Sequence, residues 1–309
     1  MEKKKLIILT GPTAVGKTGL SIRLAKALNG SIISADSMQV YQYMDIGSAK
    51  IRPEEMDGVD HYLIDCLKPW EPFNVVIFQQ MARQAMAQIY AQEKIPILVG
   101  GTGFYIQAVL YDIDFTENDG DTAYRRQLEA MAATEAGAAE LYNILKSVDL
   151  KAAQEIHPHN TKRIVRALEF YYQTNRPISE HNLEQRAKES PFNFSYFVLT
   201  DDREKLYARI DDRVDQMIKD GLVEEVRSLL QMGCERSMTS MQGLGYKEII
   251  DYLTGEITLD EAIYRIKRDT RHFAKRQITW FKWERDVAWI NRRDYEDDQT
   301  ILKAILKLL

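Results

Sequence analysis

Eight consecutive residues, Gly11, Pro12, Thr13, Ala14, Val15, Gly16, Lys17 and Thr18, fit the pattern G-x-x-x-x-G-K-[ST]. Glycines at its ends let successive backbone N–H groups turn inward as an anion nest. A helix starting there adds positive potential, and Lys17 supplies a point charge. Thr18 can offer its hydroxyl to Mg²⁺. The chemistry is the holding of a diphosphate or triphosphate. The context agrees: the apolar run Leu6, Ile7, Ile8, Leu9 precedes the loop, and Leu20, Leu24, Ala27 and Leu28 follow at helical spacing.

Phosphoryl-transfer enzymes with this loop commonly place an acid at a nearby strand end to hold Mg²⁺. The strand-like run at 94–99 ends instead in Gly100-Gly101-Thr102-Gly103. That argues against a motor ATPase but leaves a small-molecule kinase open. Asp36 closes another strand-like run, 31–35, at the edge where open α/β sheets bind ligands. A carboxylate there can accept a proton from an amine or hydroxyl, and Asp36-Ser37 is equally good capping chemistry. Thr102 could donate to a leaving oxygen or simply turn strand into helix.

A second cluster lies near the C-terminus. Arg265, Lys267, Arg268, Arg271, Lys275, Arg276, Lys282 and Arg285 are interleaved with Phe273, Trp280, Phe281 and Trp283, and only Asp269 and Glu284 oppose them. Cations with aromatics suit RNA phosphates and stacked bases, although a solvated helix face has the same composition. The net charge of −5 names no nucleic-acid partner by itself. No histidine pair has metal-ligand spacing, so any metal is expected to be Mg²⁺ held mainly by phosphate oxygens. Cys66 and Cys234 stand alone, which excludes a disulfide framework and suggests a reducing, cytoplasmic setting. No window approaches the ~20 apolar residues of a membrane span.

The elements that must position these groups follow from periodicity. Buried strands are expected at 6–9, 31–35, 94–99 and 194–199, with helices at 18–28 and 73–90. Alternation of this kind predicts an α/β fold, a P-loop NTPase-like parallel sheet with helices on both faces. Residues 119–190 are charged and helical in pattern, and long amphipathic helices are expected from 200 to the end. The organisation reads as a core at 1–114, an all-helical insertion at 115–192, and the rest of the core, mostly helical, at 193–309.

Taken together, the segments resemble the bacterial tRNA dimethylallyltransferase (tRNA isopentenyltransferase) family over nearly the whole chain. They are GPTAVGKT at 11–18, SADSMQVY at 34–41, DIGSAK at 45–50, GGTGFY at 100–105, IHPHNTKRIVRALE at 156–169, RIDDRVDQMIKDGLVEEV at 209–226, QGLGYKE at 242–248 and TRHFAKRQITWF at 270–281. The resemblance implies transfer of a dimethylallyl group from dimethylallyl diphosphate to the N6 amine of adenosine at tRNA position 37, with the loop binding a prenyl diphosphate. By the same resemblance Asp36 would deprotonate the amine, and Thr102 would hydrogen-bond the bridging oxygen. Lys17 and Thr18, with Mg²⁺, would neutralise the departing diphosphate, and Arg125 would lie near the donor. Asp36, Ser37, Met38 and Gln39 would surround the target base. The stretches holding Lys162, Arg163 and Arg166, then Gln242, Gly243, Leu244, Gly245, Tyr246 and Lys247, then Lys275, Arg276, Gln277, Trp280 and Lys282 look like the family's tRNA-contacting segments.

Two departures touch none of the proposed catalytic groups: Thr122 where the family has proline, and His159-Asn160 where Asn-Asp is common. The isolated cysteines lead us to expect no zinc finger of the kind eukaryotic relatives carry. Three other readings compete: a small-molecule kinase, an RNA-binding protein with a vestigial P-loop, and a prenyltransferase of free adenine nucleotides.

Overall fold

The computed structural model describes residues 3–115 and 123–309, and Thr122 lies outside them. The chain divides into two compact units, 1–110 with 191–309, and 111–190.

The first unit opens with β1 (Lys5–Thr10), α1 (Lys17–Leu28), β2 (Gly30–Ala35), β3 (His61–Tyr62), α2 (Val75–Ala91), β4 (Ile95–Gly100) and α3 (Gly103–Leu110). The second unit holds α4 (Ala123–Ala132), α5 (Glu135–Val148), α6 (Leu150–Glu155), α7 (Thr161–Thr174) and α8 (Ile178–Ala187). The first unit resumes with β5 (Asn193–Thr200), α9 (Arg203–Lys219), α10 (Leu222–Gln231), α11 (Tyr246–Leu253), α12 (Leu259–Phe281), β6 (Val287–Asn291) and α13 (Asp298–Leu308).

Its strands form one sheet in the order β3-β2-β4-β1-β5-β6, and every pairing is parallel. Leu6, Ile7, Ile8 and Leu9 are all fully buried, as a strand covered on both faces requires. Asn29 ends α1 in the left-handed region at φ 49°, its N–H bonded to the Ala25 carbonyl. Asn74 starts α2 by accepting from the Val76 and Ile77 N–H groups at 2.9 and 3.0 Å.

Two strands depart from the periodicity. Residues 287–291 form β6, where the sequence pattern predicts continued helix. Val-Ala-Trp-Ile-Asn is a short edge strand with only Ile290 buried, so it shows neither a clean apolar run nor an alternation. The strand β3 is two residues long and beneath the reach of any periodicity argument.

The second unit has its own core around Leu128, Leu141, Leu145, Ile164, Val165 and Leu168. Buried Asp149 holds it together. Its carboxylate accepts from Ala152 N–H at 2.9 Å, Ser179 N–H at 2.9 Å and the Ser179 hydroxyl at 2.6 Å, joining the starts of α6 and α8. Asn160 caps α7 by accepting from Arg163 N–H at 3.3 Å, so the His159-Asn160 departure keeps capping chemistry.

At the carboxyl edge of the sheet, β2 and β4 approach closely. A Cβ added to Gly100 would stand 2.2 Å from the Ala35 carbonyl oxygen, and both atoms belong to backbone that cannot swing away. Gly100→Ala is therefore expected to destabilise the protein by about 1–3 kcal/mol, measured by urea denaturation, and to impair the adjoining site more than the fold.

Candidate active site

Parallel strands deliver their following loops to one edge. Ala35 pairs with Gly100, and Gly100 pairs with Thr10, so β2, β4 and β1 end side by side. The next residues are Asp36, Gly101 and Gly11. With strands about 5 Å apart, Asp36 and the start of the P-loop stand about 10 Å from each other across this edge, and the turn carrying Thr102 fills the gap. Thr102 N–H donates to the Ala35 carbonyl at 3.3 Å, and the Thr10 hydroxyl donates to the Gly100 carbonyl at 2.6 Å.

The P-loop has left-handed residues at Ala14, φ 62°, and Gly16, φ 90°, which help turn its N–H groups to one side. Gly11 is needed for a different reason: a Cβ there would lie 2.4 Å from the Leu199 carbonyl oxygen of β5. Pro12 and Val15 are buried, Thr13 is half-buried, and Thr18 opens α1 on the exposed side. Lys17 is partly buried and folds back on its own loop, donating to the Gly11 and Pro12 carbonyls at 2.9 and 2.8 Å. Burial, helped by the nearby charge of Arg213 and opposed by that of Asp36, pushes the Lys17 ammonium down to about 7.

Asp36 Oδ1 accepts from Met38 N–H at 2.8 Å and more weakly from Gln39 N–H at 3.4 Å. The capping geometry allowed by the sequence is therefore present, and it occupies one carboxylate oxygen. Burial raises the Asp36 carboxyl above its ordinary value, against the two N–H groups and Lys17, which lower it. Thr102 also has its turn role, its carbonyl accepting from Tyr105 and Ile106 N–H at 3.0 and 3.2 Å.

Ser37, Met38 and Gln39, expected to surround the target base, are half-buried. The Gln39 side chain accepts from the Ser34 hydroxyl at 3.0 Å and donates to the Ser48 and Ala49 carbonyls at 3.4 and 3.3 Å. Behind that loop stands Glu225 of α10. Its carboxylate accepts from the N–H groups of Asp45, Ile46 and Gly47 at 2.9, 2.7 and 3.1 Å, and from the Tyr246 hydroxyl at 2.8 Å.

Several residues of the stretches expected to contact RNA have inward roles. Tyr246 is 1% exposed and bonded to Glu225, so its side chain supports the loop and does not reach the surface. A Cβ on Gly243 would meet Met38 at 2.6 Å. Gly245 is buried and starts α11 at φ 95°. Gln277 is 6% exposed, its amide committed to backbone at Thr13 and Gly101. Gln242 is exposed, Leu244 is half-buried, and Lys247 lies 3.5 Å from Glu248.

The basic run is thinner in three dimensions than in sequence. Helix α9 sets Asp211 against Arg271 at 2.5 Å and Asp215 against Lys267 at 2.7 Å. Arg265 and Arg268 pair with Glu261 and Asp269 within α12. Lys275, Arg276 and Lys282 remain exposed with no ion pair among the described residues, and Trp280 is 37% exposed.

In the helical unit Lys162 and Arg163 are exposed at the start of α7. Arg125 and Arg166 both reach Glu169, a fully buried carboxylate, at 3.2 and 3.4 Å, and Arg125 also pairs with Glu129 at 2.9 Å.

Other cations around the P-loop were not singled out by sequence reasoning. Arg209 of α9 donates to the Ala14 carbonyl at 3.1 Å while pairing with Asp201 at 2.6 Å. Arg292, just after β6, rests beside Gly16, where an added Cβ would be 3.1 Å from its guanidinium. It pairs with Asp298. Asp201, Arg209 and Arg292 line a cleft of about 240 Å³ at the ends of β5 and β6. Arg209 and Arg213 fall in the stretch 209–226 that carries the resemblance, which was the available signal.

The chain is similar to known proteins over nearly its whole length. A family profile described as IPP transferase matches residues 39–284, and one described as isopentenyl transferase matches 4–68. A tRNA dimethylallyltransferase of Lachnoclostridium phytofermentans is 62% identical over 304 residues, 98% of this chain and 97% of the relative. One of Carboxydothermus hydrogenoformans is 52% identical over 288 residues, covering 93% and 92%. The crystal structure of the full-length tRNA isopentenylpyrophosphate transferase of Bacillus halodurans superposes with a TM-score of 0.75 at 44% identity, covering 99% of this chain and 96% of that one. A eukaryotic dimethylallyltransferase acting on tRNA superposes with a TM-score of 0.82 at 30% identity, covering 97% and 78%. The chain belongs to the tRNA dimethylallyltransferase, or tRNA isopentenyltransferase, family.

Proposed function

We propose that the chain transfers a dimethylallyl group from dimethylallyl diphosphate to the N6 amine of the adenosine that follows the anticodon on its 3′ side in tRNA. The observation that carries this reading is the order of groups along the sheet edge. A proton acceptor, Asp36, is separated from an anion nest by a hydroxyl donor, Thr102. An allylic diphosphate laid along that edge has its diphosphate in the nest, its bridging oxygen at Thr102 and its reactive carbon toward Asp36.

The N6 nitrogen forms a bond to the allylic carbon as the carbon–oxygen bond breaks, and the electron pair leaves on the diphosphate. The amine proton passes to the Asp36 carboxylate. A raised carboxyl is a better proton acceptor, and a poor nucleophile such as an exocyclic adenine amine needs that acceptor in place. Thr102 donates to the oxygen on which charge develops. Lys17 exchanges its two carbonyl partners for the diphosphate.

Mg²⁺ suits this donor set. No group of three or more His, Cys, Asp or Glu able to hold a metal exists among the described residues. The Thr18 hydroxyl beside phosphate oxygens and water matches the ion's preference for few protein ligands. Bound there, it would supply neutralising charge to the diphosphate.

The acceptor base must leave the anticodon-loop stack, which costs a few kcal/mol. Phosphate contacts from the exposed Lys275, Arg276 and Lys282 would offset that cost. Lys162 and Arg163 are the exposed cations that the helical unit would offer to RNA.

The direct test supplies Mg²⁺, radiolabelled dimethylallyl diphosphate and an unmodified anticodon stem-loop, without ATP. Label should appear on the RNA and vanish when the target adenosine becomes guanosine. Absence of label from folded protein that binds the RNA would reject the reading and turn attention to ATP and small acceptors. Asp36→Ala is expected to lower kcat by about 10²–10⁴-fold while RNA affinity changes only a few-fold. Equal losses would make Asp36 a recognition residue. Arg276→Ala should weaken RNA binding and reduce the slope of log K against log salt by about 1. An unchanged slope would remove the phosphate contact.

Lys17 gives a proton-linked expectation. Free, it loses its proton as pH rises through about 7. A bound anion favours the charged form, so Lys17's contribution to affinity is complete below that value and fades above it. At pH 8, calorimetry in buffers of different ionisation enthalpy should find proton uptake on binding inorganic diphosphate, and Lys17→Arg should abolish that share of it.

A further inference from the structure

We infer that Gln277 is a positioning residue for the transfer, setting the spacing between the diphosphate nest and Thr102; the inference rests on the transfer reading above. Gln277 lies on α12, flanked by exposed Lys275 and Arg276, yet its own side chain faces inward. Its Oε1 accepts from Thr13 N–H of the P-loop at 2.9 Å. Its Nε2 donates to the Gly101 carbonyl of the β4–α3 turn at 2.9 Å. One amide thus ties together the two loops that must hold the leaving group, using both ends of the side chain.

The fit is tight on the Gly101 side. A Cβ there would be 2.2 Å from Gln277 Nε2, so the amide reaches the carbonyl only because residue 101 is glycine. One turn further along α12, the Trp280 ring lies where a Cβ on Gly103 would come within 2.2 Å of it. The helix therefore grips the residue on each side of Thr102. Ala274 and Phe281, both fully buried, anchor the same stretch of α12 in the core. Thr13 N–H is spent on Gln277, so this part of the loop is pinned by protein.

The consequence is geometric. The Thr102 hydroxyl helps only if it meets the bridging oxygen of a diphosphate seated in the nest, and misplacement by about 1 Å can cost about 100-fold. Gln277 fixes that relation without touching either substrate. A leucine removes both hydrogen bonds. A glutamate keeps the acceptor for Thr13 but replaces the donor to Gly101 with an oxygen.

The test measures single-turnover transfer and stem-loop affinity for Gln277→Leu, Gln277→Glu, Thr102→Ala and the double variant Thr102→Ala/Gln277→Leu, with thermal melts as a folding control. Gln277→Leu and Gln277→Glu should each lower the transfer rate about tenfold or more at saturating RNA, with RNA affinity within about twofold. If Gln277 acts through Thr102, adding Gln277→Leu to Thr102→Ala costs less than about threefold more, because the group being aimed is gone. Wild-type rates in the single variants would overturn the inference. So would a fully multiplicative loss in the double variant, or RNA binding weakened about tenfold with the rate preserved. Should the leucine variant fail to fold, Gln277→Glu alone and combined with Thr102→Ala decides in the same way. A wild-type protein that labels no RNA would instead reject the transferase reading. The clamp is then judged by binding of inorganic diphosphate, expected about tenfold weaker in Gln277→Glu, with unchanged binding overturning it.

Discussion

Asp36 and Lys17, both partly buried, stand in each other's field, and the rest of the site is arranged around that pair. Burial disfavours the charge on both, lifting the carboxyl and bringing the ammonium down to about 7. Their mutual attraction opposes this but does not win. Without substrates the site therefore holds a reluctant acid and a reluctant cation. On the proposed mechanism each is matched to a different reactant: an arriving diphosphate favours charged Lys17, and an amine about to lose a proton needs the carboxylate. Two opposite tasks fit in one small site because the sheet separates them by two strand spacings, with Thr102 between.

That separation is enforced by close approach. Gly100 lets β2 and β4 nearly touch, and Gly11 lets β1 leave beside β5. Gln277 ties the P-loop to the Thr102 turn, and Glu225 gathers three N–H groups of the loop that carries the Ser48 and Ala49 carbonyls to Gln39. The helices that follow β5 are thus the supports of the active site as well as carriers of the exposed cations Lys275, Arg276 and Lys282.

Much of this was legible in the sequence wherever the signal is local. The P-loop, the strand ends at Asp36 and Gly100, and the change to helical charge patterns after 112 each depend on neighbours within a dozen residues. The supports are not local. Gln277 finds partners 264 and 176 positions away, and Glu225 finds the loop at 45–47 about 180 away, so no spacing rule reveals them. The basic run misled in degree for the same reason, since Asp211 and Asp215 arrive from another helix. Strand β6 was missed because a five-residue edge strand with a single buried residue carries no period.

On the proposed mechanism the P-loop holds a leaving group and donates no phosphoryl group. The most direct measurement is the small-molecule product formed per modified adenosine in a single turnover with stem-loop RNA. One diphosphate is expected for each N6-dimethylallyladenosine, with added ATP left intact. ADP or orthophosphate released from ATP in proportion to RNA would contradict it.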